Sequence, residues 1–96
     1  MERTIWTTET NVEEVVWQTS YQKISEKTWT YTNIAIFNND TNWNNVWLRN
    51  DTYETGGMWF KIPAQAVYNQ RFRVSNLKNL KIWADDNVVV YLDFWE

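Results

Sequence analysis

Alternation is the dominant pattern in this chain, and it is clearest from Asn79 to Trp95, NLKIWADDNVVVYLDFW. Leu80, Ile82 and Ala84 alternate along one run, Val88, Val90 and Leu92 along a second, and Asp85-Asp86-Asn87 separates the two. Alternation in β-branched, aromatic and aliphatic residues marks strands with one buried face. A three-residue loop at 85–87 would set Ala84 opposite Val88, Ile82 opposite Val90 and Leu80 opposite Leu92. The segment is therefore expected to form a closing C-terminal hairpin over 79–95, with Asn87 in the φ > 0 position that Asn tolerates. The other hairpin face would pair Trp83 with Val89, Lys81 with Tyr91, Asn79 with Asp93 and Leu77 with Trp95.

The same reading predicts further short strands. Met1 to Thr8 places Ile5 and Trp6 on opposite faces, in a terminal strand that a neighbouring chain could also use. Asn11 to Ile24 carries two patterns. Asn11 followed by Glu14 fits a helix start, with Val12, Val15 and Val16 at helical spacing, while Val15, Trp17, Thr19 and Tyr21 alternate along a strand face. The Val-Val-Trp composition favours strand. In Thr28 to Phe37, Trp29 and Tyr31 share one parity and Ile34 and Ile36 the other, so a bulge near Thr32-Asn33 or burial on both faces is expected. Asn44–Arg49 turns Val46 and Leu48 in and Trp47 out. Met58–Ile62 turns Phe60 in and Trp59 and Lys61 out, and ends at Pro63, which cannot donate to a ladder. Gln70–Ser75 turns Phe72 and Val74 in and Arg71 and Arg73 out. About eight short strands separated by turn signals indicate an all-β fold: one antiparallel, jelly-roll-like β-sandwich domain over residues 1–96.

Composition narrows the function. The chain has no cysteine and no histidine, so disulfides, thiolate or imidazole metal sites, a thiol nucleophile and a His-based triad are all excluded. The formal net charge of −3 speaks against nucleic acid, and there is no basic cluster for anionic lipid. No apolar run approaches a membrane span, and MERTIWTTET carries acid and threonine where a secretory leader would carry a basic start and an apolar stretch. No cofactor is expected. Eight Trp, five Tyr and four Phe exceed what one small core can enclose. At least two Trp side chains are expected at the surface, as interface anchors or stacking platforms.

Four groups of residues are candidate sites. Asp40, Asn42, Asn44 and Asp51 fall at positions one, three, five and twelve of a calcium-loop pattern, but Asn45 stands where that loop needs Gly, and an Asn-rich connection explains them equally well. Asp85-Asp86 and Glu13-Glu14 are neighbouring carboxylates without a cleft, and turn chemistry accounts for the first pair, so no catalytic residues and no metal site are expected. Trp43 and Trp47 flank Asn42, Asn44 and Asn45, a combination of indole faces and amides suited to a glycan. The hairpin face of Leu77, Lys81, Trp83, Tyr91 and Trp95 is the candidate protein interface, with interior coverage as the alternative.

Ile62-Pro63-Ala64, Asn76-Leu77-x-x-Leu80-Lys81-Ile82 and Val88-Val89-Val90-x-Leu92 resemble small β-sandwich proteins of tailed-bacteriophage virions, of the head-decoration, head-fibre and tail-accessory type. In these an Ile-Pro-Ala strand end leads to a Leu-rich strand and a closing Val-rich strand. The resemblance covers roughly the last 40 residues, and the chain departs from it in Asp85-Asp86-Asn87, where a Gly-containing turn is usual, and in its Trp content. It implies a non-enzymatic structural role in a virion, in repeated copies, with copies of itself and other virion proteins as partners. Nucleic acid and membrane are not expected as partners. A carbohydrate-binding module, using Trp43, Trp47, Asn42 and Asn44, is the alternative.

Overall fold

The computed structural model describes residues 1–8, 14, 15, 17–51 and 59–96. Among these are eight strands, β1 (Glu2–Thr7), β2 (Glu14–Val15), β3 (Tyr31–Asn38), β4 (Val46–Asn50), β5 (Trp59–Ile62), β6 (Val67–Arg73), β7 (Leu80–Ala84) and β8 (Val89–Trp95). One α-helix, α1 (Trp17–Ser25), and one 3-10 helix, Val74–Asn79, lie between strands. The strands form two antiparallel sheets, ordered β1-β8-β3-β6 (sheet A) and β2-β7-β4-β5 (sheet B). Such an order over eight strands in two sheets is that of a jelly roll. The expected all-β sandwich is therefore the fold.

The core lies between the sheets and follows from parity. Val46, Leu48, Leu80, Ile82 and Ala84 face in from sheet B, and Ile34, Ile36, Val90, Leu92 and Phe94 face in from sheet A; all are buried. Trp29 packs edge-on against Phe94, with ring centroids 6.5 Å apart. β3 alternates without interruption from Tyr31, with Thr32, Ile34, Ile36 and Asn38 buried, so the expected bulge at Thr32-Asn33 is absent. Trp29 lies ahead of the strand and owes its burial to the approach of the chain.

The expected hairpin over 79–95 is not formed. β7 pairs with β2 and β4 in one sheet, and β8 pairs with β1 and β3 in the other. Ile82 and Val90 are both fully buried, but they belong to opposite sheets. The 85–88 link is an arch whose hydrogen bonds divide between the sheets. The Asp85 N–H donates to the Asn45 carbonyl beside β4 at 3.2 Å. Three residues on, the Val88 N–H donates to Thr8 Oγ1 (3.1 Å) and its carbonyl accepts from the Thr8 N–H (2.9 Å), at the end of β1. Alternation cannot separate the two arrangements. Two apolar strand faces look alike whether the strands lie side by side or oppose each other across a core.

α1 corrects the strand reading over 17–24, whereas Glu14–Val15, within the same expected strand, does form β2. Ser20 and Ile24 are buried, Tyr21 is half-buried, and the i, i+4 and i, i+3 spacing of these residues gives the inward face of a helix. That face meets Ile34, Leu77, Leu80 and Leu92. The break at Thr10-Asn11, the helix-start signature at Asn11, the loop through Gly57 and Met58 lie outside the described residues. The terminal strand β1 pairs within its own chain, with β8.

The connections collect at the two ends. At one end the Asn39 N–H bonds the Val89 carbonyl, and the Gln65 N–H bonds the Asn38 carbonyl at 2.8 Å. At the other, the Asp51 N–H bonds the Asn79 carbonyl and the Val74 N–H bonds the Thr30 carbonyl.

Candidate binding faces

With most inward positions consumed by the core (Phe60, expected inward, is instead 46% exposed and stacks on Tyr68 where β5 and β6 leave the sandwich open), chemistry is left to the two outer sheet faces and the loops. On sheet B, β7, β4 and β5 present two rows outward. One runs Trp83–Trp47–Lys61 and the next Lys81–Arg49–Trp59, each residue directly beside its neighbour in register. Trp47, Arg49, Trp59 and Trp83 line a shallow depression of about 420 Å³. Its members are held by polar contacts. Trp47 Nε1 donates to Asp85 Oδ1 at 3.1 Å, and the other Asp85 oxygen accepts from the Asn45 N–H at 3.1 Å. The Arg49 guanidinium lies 4.9 Å from the centre of the Trp59 ring. It also meets Asp51 at two points, a 3.0 Å hydrogen bond from Nη2 and a 2.6 Å Nε–Oδ1 contact. Lys81 reaches the same carboxylate at 3.1 Å. The hydrogen bond from Arg49, seconded by one from Lys81, holds the Asp51 carboxyl below its ordinary value although burial pushes the other way.

On sheet A the outward rows differ. Ile5, Tyr91, Phe37 and Val67 stand side by side in one register row that crosses all four strands. Ile5 is 56% exposed and Val67 57% exposed, at the two edges of the row. Phe37 and Tyr91 touch, with ring centroids 5.9 Å apart, and the Tyr91 hydroxyl accepts from Asn39 Nδ2. The next row is Arg3–Asp93–Ala35–Asn69. Arg3 grips Asp93 through two hydrogen bonds, 2.6 and 3.0 Å, and lies 5.0 Å from the centre of the Tyr91 ring. The Arg3 hydrogen bond pulls the Asp93 carboxyl below its usual range, against the cost of burial. Beyond lie Trp95, Asn33 and Arg71, and then Tyr31 beneath Arg71 and Arg73.

The residues expected to share one interface are thus distributed over three places. Tyr91 and Trp95 are on the outer face of sheet A, Trp83 and Lys81 are on the outer face of sheet B, and Leu77 is in the core at 2% exposure. Their separation follows from the arch: once β7 and β8 oppose each other, their outward faces point away from each other. The proposed glycan residues also divide. Trp47 belongs to the sheet B depression, whereas Trp43 stands in the 39–45 loop, 88% exposed at φ 64°. A bulky residue at positive φ is strained. Asp40 restrains it from both sides, since Oδ2 accepts the N–H of Asn42 and of Asn44, each at 2.8 Å. Asn42 is exposed, and the Asn44 carbonyl accepts from the buried Asn38 side chain.

The same contacts account for the calcium-like spacing. Asp40 is buried and engaged by loop backbone, and Asp51 is paired with Arg49 and Lys81. Among the described residues no group of three or more Asp or Glu side chains could hold a metal ion. Asp85 and Asp86 are exposed in the arch and act as backbone and indole acceptors. Trp59 and Phe37 were missing from the sequence-derived site. Their outward parity was readable, but their neighbours depend on strand order, for which the sequence carries no local signal.

No helix among the described residues is long and apolar enough to cross a membrane. Compared with known proteins, the chain matches no family model and no curated protein.

Proposed function

We propose that this chain is a non-catalytic structural subunit of a phage virion, a capsid-decoration or head/tail accessory protein, that assembles with copies of itself and with other virion proteins. The observation that carries the reading is the apolar row Ile5–Tyr91–Phe37–Val67 on the outer face of sheet A. Soluble monomers seldom leave contiguous apolar surface in water. An apolar centre with polar residues around it is the usual anatomy of an interface. Here the charges beside the row, Arg3 and Asp93, satisfy each other, so burying them leaves no unpaired ion. Because aliphatic side chains and aromatic rings run the length of the row, and its one polar atom, the Tyr91 hydroxyl, is already bonded to Asn39, two copies can stack row against row with matching chemistry. The virion context rests on the resemblance of residues 62–92. The jelly roll is compatible with it, as a fold used by capsid and lectin domains alike.

Site-directed crosslinking tests the assignment, and the absence of native cysteine makes it clean. Val67→Cys and Lys61→Cys place one thiol on each outer face. With a short bismaleimide, the Val67→Cys protein is expected to give crosslinked dimers and the Lys61→Cys protein to stay monomeric. The reverse result would move the contact to sheet B.

A further inference from the structure

We propose that the depression on the outer face of sheet B is a carbohydrate-binding site, taking a neutral glycan of pyranose rings with equatorial hydroxyls. Such rings have apolar C–H faces edged by hydroxyls, so they require flat aromatic surface bordered by fixed hydrogen-bonding groups. The site supplies both. Trp83 stands directly beside Trp47, and Trp59 stands diagonally from Trp47 next to Arg49. With ordinary strand spacing and rise, the three indoles span roughly 12 Å between the outermost two, which exceeds one sugar ring.

The platform is built before any ligand arrives. The Trp47 indole N–H is already satisfied by Asp85, which fixes that ring and leaves its face for stacking. The Trp59 ring is backed by the Arg49 guanidinium, itself held by Asp51. Prior ordering lowers the entropy lost on binding. Hydroxyl partners stand at the margin in Lys61, Arg49 and Asp85. Charge speaks against a polyanion, because Asp51 and Asp85 offset most of the charge of Arg49, Lys81 and Lys61 around the depression and the chain as a whole carries −3. A polyanion would need an uncompensated basic surface.

The test is titration of the full chain, labelled with nitrogen-15, with cellohexaose and separately with N-acetylchitohexaose, following the eight indole N–H resonances. Single Trp→Phe variants assign them. At least one sugar is expected to shift Trp47, Trp59 and Trp83 saturably, with Trp43 and Trp95 unmoved. Trp59→Ala and Trp83→Ala should each weaken binding about ten-fold or more. Trp59 points outward from a four-residue strand at the edge of the sheet, so Trp59→Ala decides the matter if Trp83→Ala does not fold. The proposal is overturned if neither sugar shifts these resonances, if shifts centre on Trp43, or if Trp59→Ala binds as the wild type does. It is equally overturned if a proline-rich peptide shifts the three indoles while the sugars do not.

Discussion

The two outer faces of this sandwich are made by the same alternation and paired in the same way, yet they carry different chemistry. Sheet A sets two aliphatic residues and two aromatic rings in one row, with a self-satisfied Arg3–Asp93 pair alongside. Sheet B sets three indoles among charged residues, and polar contacts hold the Trp47 and Trp59 rings in place. The first offers apolar area and little hydrogen bonding, the properties of a surface that another protein covers. The second offers flat rings with donors and acceptors at fixed positions, the properties of a surface for a small polar ligand. In a β-sandwich the inward parity specifies the fold, so the outward parity is where two sheets of one domain can diverge in function.

The largest effect should come from crossing from either outer face to the core. Leu92→Ala removes a fully buried side chain and should lower unfolding free energy by about 2–5 kcal/mol in urea denaturation. Its neighbour Tyr91 faces out, and Tyr91→Ser should cost less than half as much while weakening self-association. A Tyr91 loss equal to that of Leu92 would show the row to be part of the monomer's own core. Next in size is Asp85→Ala, which removes the acceptor for Trp47 Nε1 and for the Asn45 N–H. A loss of about 1–2 kcal/mol is expected, together with weaker sugar binding and unchanged assembly. Calorimetry with and without ligand checks both halves.

Acid should act on both faces at once. Asp51 and Asp93 titrate below the ordinary 3.8 in the folded state, so the unfolded chain binds more protons in that range. Their contribution is therefore present above the ordinary value and is lost as pH falls through the lower, folded values. The thermal midpoint of the wild type should drop across that window. Asp51→Asn and Asp93→Asn should each flatten the drop, and identical acid profiles for wild type and both variants would contradict the ion-pair account. Smallest is Arg3→Ala. Its ion pair is exposed and screened by solvent, so in urea denaturation the variant should unfold at nearly the same midpoint as the wild type.

Much of the fold was legible because burial imposes parity. Val46 and Leu48 inward with Trp47 outward, and Leu92 and Val90 inward, are read correctly from alternation alone. Partnership was not legible. Among the described strands β4 and β5 are the sole consecutive pair that lie side by side; the others cross from sheet to sheet, so the assumption that neighbours in sequence pair in space fails at β7 and β8. α1 was misread because Trp17, Thr19 and Tyr21 are acceptable strand residues, while the helical spacing noted at Val12, Val15 and Val16 lies ahead of this helix, whose own inward face over nine residues is only Ser20, Tyr21 and Ile24. The site shows the same division. Trp47 was assigned outward and Trp83 to the second face of the expected hairpin, but that they stand together with Trp59 depends on the order β7-β4-β5.

Self-association through sheet A is most directly tested by sedimentation velocity over a concentration series, comparing wild type with Ile5→Lys/Val67→Lys and with Trp59→Ala. The account predicts that the wild type and Trp59→Ala associate as concentration rises, while the double-lysine protein stays a folded monomer. A wild type that remains monomeric at the highest soluble concentration, or a double-lysine protein that assembles as the wild type does, would contradict it.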